Sequence, residues 1–479
     1  MDRKVIGVII FGIIALFLGL AKPLTGLPDT GHWVLATVVF ALGFWIFKPG
    51  GMPFAIGCAI VVGGTLYFGL GFNEAAAGFA GGPIWTLIPA LYFGFILQKT
   101  GLGKRVAYMV LKIFTPSWGT MALSWLIIGV ALSALTPSIT VRVAILMPIA
   151  ISVVEACKQE YRSKGSAYIT LIAWAMCLFP GTGWLTGTLT GPIILGFMPD
   201  ELKSMVTFDS WLQILAVPWL LITVLFILGV YFIMKPKGNI GITKEDFQKE
   251  YKALGPISRD EIISIVVLVG ALVLFSTGDG KLHSIPTAAI ALAAFAFLIG
   301  FKLITGPEIS SGINWDVVLF FGVACSLQTV FKVSEVGAWI EGVIRDPLLG
   351  LAATSTLLML LVWTFAFLLI RFIDVPWGYA TAAATMAVLI PILQQFGIHP
   401  LICAMPYLIG INFLFLPYQQ PFISIADGIM QGRGWLAGHV TQAGIIYIIV
   451  CVIALVVCMP YWSAVGGFSA VMPPTPPMP

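Results

Sequence analysis

A serine, a threonine and an arginine stand close together in an otherwise apolar stretch: Ser138, Thr140 and Arg142 of SALTPSITVRVAILMPIA (133–150). Hydroxyls and a guanidinium are hydrogen-bond donors suited to an anion. Ser138 and Arg142 are one helical turn apart and so face the same way. A charge deep in greasy sequence is costly and marks a functional position by default; the alternative is that Arg142 lies near a membrane face and snorkels to water. Pro137 breaks the chain just before the group. DVPWGYATAAATMAVLIPIL (374–393) repeats the plan, and laying Pro148 over Pro391 places Ser138 over Thr381.

Two further interruptions carry polar side chains. PGTGWLTGTLTGP (180–192) brings Thr182, Gly183, Trp184, Gly187 and Thr188 into the apolar run 166–198. LPYQQPFIS (416–424) brings Gln419, Gln420 and Pro421 into the run 400–430. Glycine and proline destabilise a helix interior, and threonines can bond the freed backbone groups. Each threonine hydroxyl therefore either back-bonds its own helix or donates to a ligand. Amides at depth need partners, and a substrate is one candidate for Gln419 and Gln420. Trp377, Tyr379 and Tyr418 crowd the same motifs, as aromatic lining or as an interface belt. Arg371 and Asp374 form a neutral pair or, alternatively, Asp374 exchanges protons. Asp316 is expected to hold a helix start.

These motifs need elements that cross lipid. Of 479 residues, 59% are hydrophobic and only 10% charged, whereas a soluble domain carries about a quarter charged residues. The net charge of +4 is small and sits in loops, so no nucleic-acid partner is implied. Seven scattered cysteines and four histidines near loops form no metal-ligand spacing. A span takes roughly 20 apolar residues. By that measure spans fall at 5–21, 33–47, 54–71 and 83–98, then 211–234, 261–275, 285–304, 314–331 and 440–462. The run 5–21 follows Arg3 and Lys4 like a signal peptide but is expected to stay as a first span. Stretch 99–114 is amphipathic and expected along the cytoplasmic interface, and 333–345 is a second amphipathic piece. Segments 118–157 and 352–395 are expected to be inner and outer helical hairpins, although two full spans would also fit the first. The polar stretch 235–260, with six Lys or Arg residues, is the expected cytoplasmic linker between halves 1–234 and 261–479. Positive charge puts the N-terminus inside, and the span count puts the uncharged tail 473–479 outside.

The halves also share GPIWTLIPALYFGF (82–95) and GINWDVVLFFGVAC (312–325), with Trp85 over Trp315. An odd span count in each half gives inverted topology. The expected fold is therefore an all-α polytopic membrane protein of two inverted repeats. It would have about 11 spans, two re-entrant hairpins and two broken helices, an architecture of secondary transporters.

On these segments, and on INWDVVLFFGVACSLQTVFKVSEVGAWI (313–340), nearly the whole chain resembles the divalent anion–sodium symporter family. That family carries Ser-Asn-Thr at each hairpin tip, ten residues before a Pro-Ile end. Here Ser138-Ile139-Thr140 precedes Pro148, and Thr381-Ala382-Ala383 precedes Pro391. The resemblance implies an anion pocket and sodium sites around these segments, Gly183 and Gly187 included, and also a homodimer with an elevator-like excursion. Both tip asparagines are absent, and neither Ile139 nor Ala382 offers the side-chain oxygen that sodium needs. Arg142 is the candidate replacement for a bound cation's charge.

The reading is a carrier of a small anion, di- or tricarboxylate ahead of sulfate, in a prokaryotic inner or plasma membrane. No cofactor is expected. Sodium, a proton or exchange for an internal anion is the coupling candidate. An anion channel on the same fold is the rival. A membrane enzyme lacks a nucleophile, base or metal cluster at depth.

Overall fold

The computed structural model describes residues 3–198, 200–238, 240–278, 281–372, 378–394 and 396–468. Among them the regular structure is helical apart from one isolated bridge, Ile398 to Phe468. Nine helices among the described residues are long and apolar enough to cross a membrane, and four more are apolar but shorter.

The chain opens with α1 (Arg3–Ala21), α2 (Asp29–Phe47), α3 (Ala55–Tyr67) and α4 (Gly82–Lys99), followed by the short amphipathic α5 (Leu102–Leu111). The first hairpin is α6 (Trp118–Leu135) and α7 (Ile139–Ala156). Ser117 starts α6 with a capping box to Thr120, and Ser138 caps α7 through Val141 N–H at 3.4 Å. Each arm has 18 residues, long and apolar enough to cross a membrane, so the length leaves the alternative of two full spans open.

The first broken helix is α8 (Lys164–Ala175), a single turn at Phe179–Thr182, irregular backbone, then α9 (Thr190–Phe197). α10 (Val217–Met234) follows through a π-helical turn at Leu212–Ala216. The polar linker is not plain coil: Thr243 caps α11 (Lys244–Ala253), which packs on α5 with the Lys112 ammonium 3.2 Å from the Tyr251 ring centre. Arg105 of α5 also reaches carbonyls of Leu254, Gly255 and Pro256.

The rest of the chain runs through α12 (Arg259–Thr277), α13 (Thr287–Gly300), α14 (Trp315–Val333) and α15 (Val336–Thr354). A second hairpin follows, α16 (Thr356–Ile370) and α17 (Tyr379–Gln394). α15 runs past the expected 345, and the break falls where Ser355 caps α16 through Leu358 N–H. The second broken helix is α18 (Pro400–Ile411), a tight turn at Pro417–Gln419 and α19 (Pro421–Ile429), and the described chain closes with α20 (Ala437–Ala464). Trp85 and Trp315 each donate their indole N–H to the carbonyl six residues back, Phe79 and Ile309.

Asp316 does hold a helix start, although not its own. Its carboxylate accepts from the Phe54 and Ala55 amides at 2.8 and 2.7 Å, the orphan donors at the N-terminus of α3.

Packing puts the broken helices innermost. The span Lys164–Thr182 is wholly buried, whereas only 22% of the α1 span is. The second arm of each hairpin packs against pieces from both sides of the linker: α7 against α8 and α19, α17 against α18 and α9. This crossing brings the first hairpin tip and both interruptions to one place.

Candidate functional site

The tip of the first hairpin, Thr136, Pro137 and Ser138, is buried. Thr136 Oγ1 accepts from Ser138 N–H at 3.1 Å, which fixes the turn, and Ser138 then caps α7. Arg142 lies in the first turn of α7 and is fully buried. Its Nε, Nη1 and Nη2 have no hydrogen-bond partner. Two costs meet here: an unpaired guanidinium is withdrawn from water, and it sits where the helix dipole favours negative charge. The buried position rules out the snorkelling alternative.

The first interruption faces this guanidinium. A Cβ on Gly181 would lie 2.8 Å from Arg142 Nη1 and 2.3 Å from the Gly187 carbonyl oxygen. Only a glycine permits this approach of backbone to charge. Thr188, next in the chain, has a buried hydroxyl with no partner. Gly183 and Gly187 are buried in the same loop.

Other candidates from the sequence are occupied within the protein. Trp184 donates its indole N–H to the Ser133 carbonyl at 3.2 Å, tying the loop to the end of α6. Thr182 Oγ1 donates to Leu178 O at 3.4 Å and accepts from Asn412 Nδ2 at 3.2 Å. Gln419 spends its amide on its own surroundings: Oε1 accepts from Leu416 N–H at 2.8 Å and Nε2 points to Arg371 O at 3.5 Å. Gln420 Nε2 donates to Ile411 O at 3.1 Å, while its buried Oε1 has no partner. Thr140 is exposed, about 200° around the helix from Arg142, and does not join the group.

At the second tip, Thr381 is half-buried and its carbonyl accepts from Thr385 Oγ1. Ile139 and Ala382 are both buried and apolar. Tyr379 and Ala383 belong to α17, and Pro421 opens α19 half-buried. Asp374 and Trp377 lie outside the described residues, so the expected Arg371–Asp374 pair does too. Arg371 is fully buried and donates from Nε to Gly410 O at 3.0 Å and from Nη2 to Gln419 O.

Asn412 was not among the residues singled out from the sequence. It is buried at the end of α18, and its amide joins the two interruptions by bonding both Thr182 Oγ1 and Leu408 O, the latter at 2.9 Å. The available signal was a lone amide where the apolar run 400–430 gives way to its break.

An all-helical chain with two interrupted helices meeting beside a hairpin tip has the architecture of a membrane transporter. It is similar along 97% of its length to the crystal structure of the Alcanivorax borkumensis YdaH transporter, of which 98% is covered, with a TM-score of 0.58 and 15% identity. That likeness concerns the fold alone. The chain belongs to the family described as the sodium:sulfate symporter transmembrane region, whose family model matches residues 2–468. Its relatives include a membrane protein of Cupriavidus necator, 28% identical over 80% of this chain and 76% of that one. A putative malate transporter of Bacillus subtilis is 24% identical over 92% of this chain and 90% of that one. The L-tartrate/succinate antiporter of Escherichia coli is 24% identical over 81% and 80%.

Proposed function

We propose that the protein is a secondary transporter that exchanges small dicarboxylate-type anions, with Arg142 as the fixed charge that meets the anion. The observation that carries this is the Arg142 guanidinium, buried with all three nitrogens unpartnered beside Gly181 and Gly187. A carboxylate there would supply the missing acceptors as a charge-assisted, bidentate pair and reverse the unfavourable dipole term. Thr188 and Gln420 add an unpartnered hydroxyl and an unpartnered amide oxygen, the latter suited to the hydroxyl of a hydroxy acid. The relatives named for malate and for tartrate and succinate favour dicarboxylate over sulfate.

In this reading, 1–234 and 261–479 are inverted repeats, and both hairpins enter and leave on one side. The N-terminus is cytoplasmic and the C-terminus outside. The part holding both tips moves against the remaining helices as an elevator within a homodimer. Between the first tip and α4, α12 and α13 there is only about 20 Å³ of space, lined by Pro137, Phe93 and Thr186 among others, too little for a dicarboxylate, so an anion passing on this side requires these parts to separate. Exchange for an internal anion is the coupling that needs no ion site. Proteoliposomes loaded with unlabelled succinate should take up labelled succinate by saturable counterflow, faster than empty ones. Uptake independent of internal anion and without saturation would fit a channel and contradict the proposal.

A further inference from the structure

The last carbonyls of a helix have no partner inside it. In transporters with interrupted helices, such carbonyls facing the membrane midplane are where a coupling cation sits, drawn also by the negative end of the dipole. In α18 each of them meets a side-chain donor instead of a cation, while Leu408 O and Gly410 O also accept the Asn412 and Phe413 amides at 3.3 and 3.1 Å. Leu408 O accepts from Asn412 Nδ2 at 2.9 Å, Ile409 O from Tyr447 Oη at 2.8 Å, Gly410 O from Arg371 Nε at 3.0 Å and Ile411 O from Gln420 Nε2 at 3.1 Å. The same Arg371 donates across to Gln419 O, on the far side of the interruption. One cationic side chain thus holds both edges of the break, with a helix end behind it.

The residues at the two tips do not fit a sodium ion. Ile139 and Ala382, the tip positions that would offer side-chain oxygens, are buried hydrocarbon. The carbonyls at the end of α18 are already taken by neutral donors and a guanidinium.

We infer that Arg371 is a tethered cation: its guanidinium holds the carbonyls of the second broken helix, Gly410 and Gln419, in place of a mobile coupling ion. The two hairpins then use their arginines differently. Arg142 keeps its donors open for the anion, and Arg371 gives Nε and Nη2 to backbone carbonyls. Arg371 acts as a positioning residue, keeping the second interruption in its folded-back shape without sodium. The resulting behaviour is transport that ignores the sodium gradient despite the sodium chemistry in the family's description.

The inference rests on the transporter reading for one arm of its test and on no function for the other. In detergent, wild-type protein should melt at the same temperature in choline, sodium and millimolar guanidinium chloride. Arg371→Ala should melt lower in choline and in sodium and recover with guanidinium, which can donate to the two vacated carbonyls as the side chain did. In proteoliposomes, succinate counterflow by wild type should be equal in choline and sodium. Counterflow by Arg371→Ala in choline should fall by about tenfold or more, the loss of at least one charge-assisted bond, and recover with guanidinium. Arg371→Lys should keep sodium-free counterflow, which decides the matter if the alanine variant does not fold. The inference is overturned if wild type needs sodium, if Arg371→Ala is unaffected in choline, or if guanidinium does not restore a folded Arg371→Ala. Absence of counterflow by wild type with any dicarboxylate would instead refute the transporter reading, and the melting arm would still decide the role of Arg371.

Discussion

Replacing Arg142 by glutamine should move stability and binding in opposite directions. In the anion-free protein the guanidinium is buried with three unpartnered nitrogens in the first turn of α7, so it opposes folding. A neutral amide removes the charge, and the melting temperature of Arg142→Gln without ligand should equal or exceed that of wild type. With a carboxylate bound, the wild-type guanidinium makes two charge-assisted hydrogen bonds worth about 1.5–3 kcal/mol each. Losing both removes about 3–6 kcal/mol, or roughly two to four powers of ten in affinity at about 1.4 kcal/mol per tenfold. Melting curves with and without succinate measure both quantities on one sample, and counterflow should vanish in parallel. A variant that melts lower than wild type yet retains succinate stabilisation would show that Arg142 is structural, and would refute the reasoning.

Asn412→Leu removes the amide between the interruptions and leaves Thr182 Oγ1 without that donor. It should cost about 1–3 kcal/mol, and a double-mutant cycle with Thr182→Val in melting experiments should give clear coupling, whereas strict additivity would contradict the contact. Trp184→Phe keeps the ring but strips the donor from Ser133 O, so it should lower melting slightly while leaving succinate affinity within about twofold, because that N–H is already spent. A tenfold loss of affinity would return Trp184 to the binding site. Outside the membrane core, the hydrogen bond from Lys99, with those from Thr305, holds the Glu308 carboxyl down to about 2 from its ordinary 4.5. Its contribution is therefore fully present above 4.5 and lost as pH falls towards 2. Glu308→Gln should lower melting equally near pH 6 and near pH 8, with the gap to wild type closing only in acid.

The breaks in the fold were legible because glycine and proline act locally. PGTGWLTGTLTGP and LPYQQPFIS interrupt helices where they stand, and Pro137 with Ser138 sets the first tip. Arg142 was legible for a similar reason, since an arginine inside apolar sequence needs an explanation wherever the chain goes. What the sequence did not reveal depends on contacts between distant segments. Asp316 is a cap for α3, some 260 positions earlier, and nothing in its neighbours says so. Thr182 and Gln419 looked free to meet a ligand, yet Asn412 and the Leu416 amide engage them in the fold. Gln420 is divided, with its amine spent on Ile411 O and its oxygen open. Arg371 holds carbonyls of residues about 40 to 50 positions further on, which nothing beside it in the sequence announces. Donor and acceptor types can be counted from sequence; which are already satisfied cannot, and that distinction separates Arg142 from Arg371.

The most direct test of the central claim is a cryo-EM map of the protein in nanodiscs with saturating succinate and without it. Succinate density is expected with one carboxylate within hydrogen-bond distance of the Arg142 guanidinium, between the first hairpin tip and the loop of Gly181 to Thr188. Succinate density elsewhere, with Arg142 still unpartnered or bonded to a protein group, would contradict it.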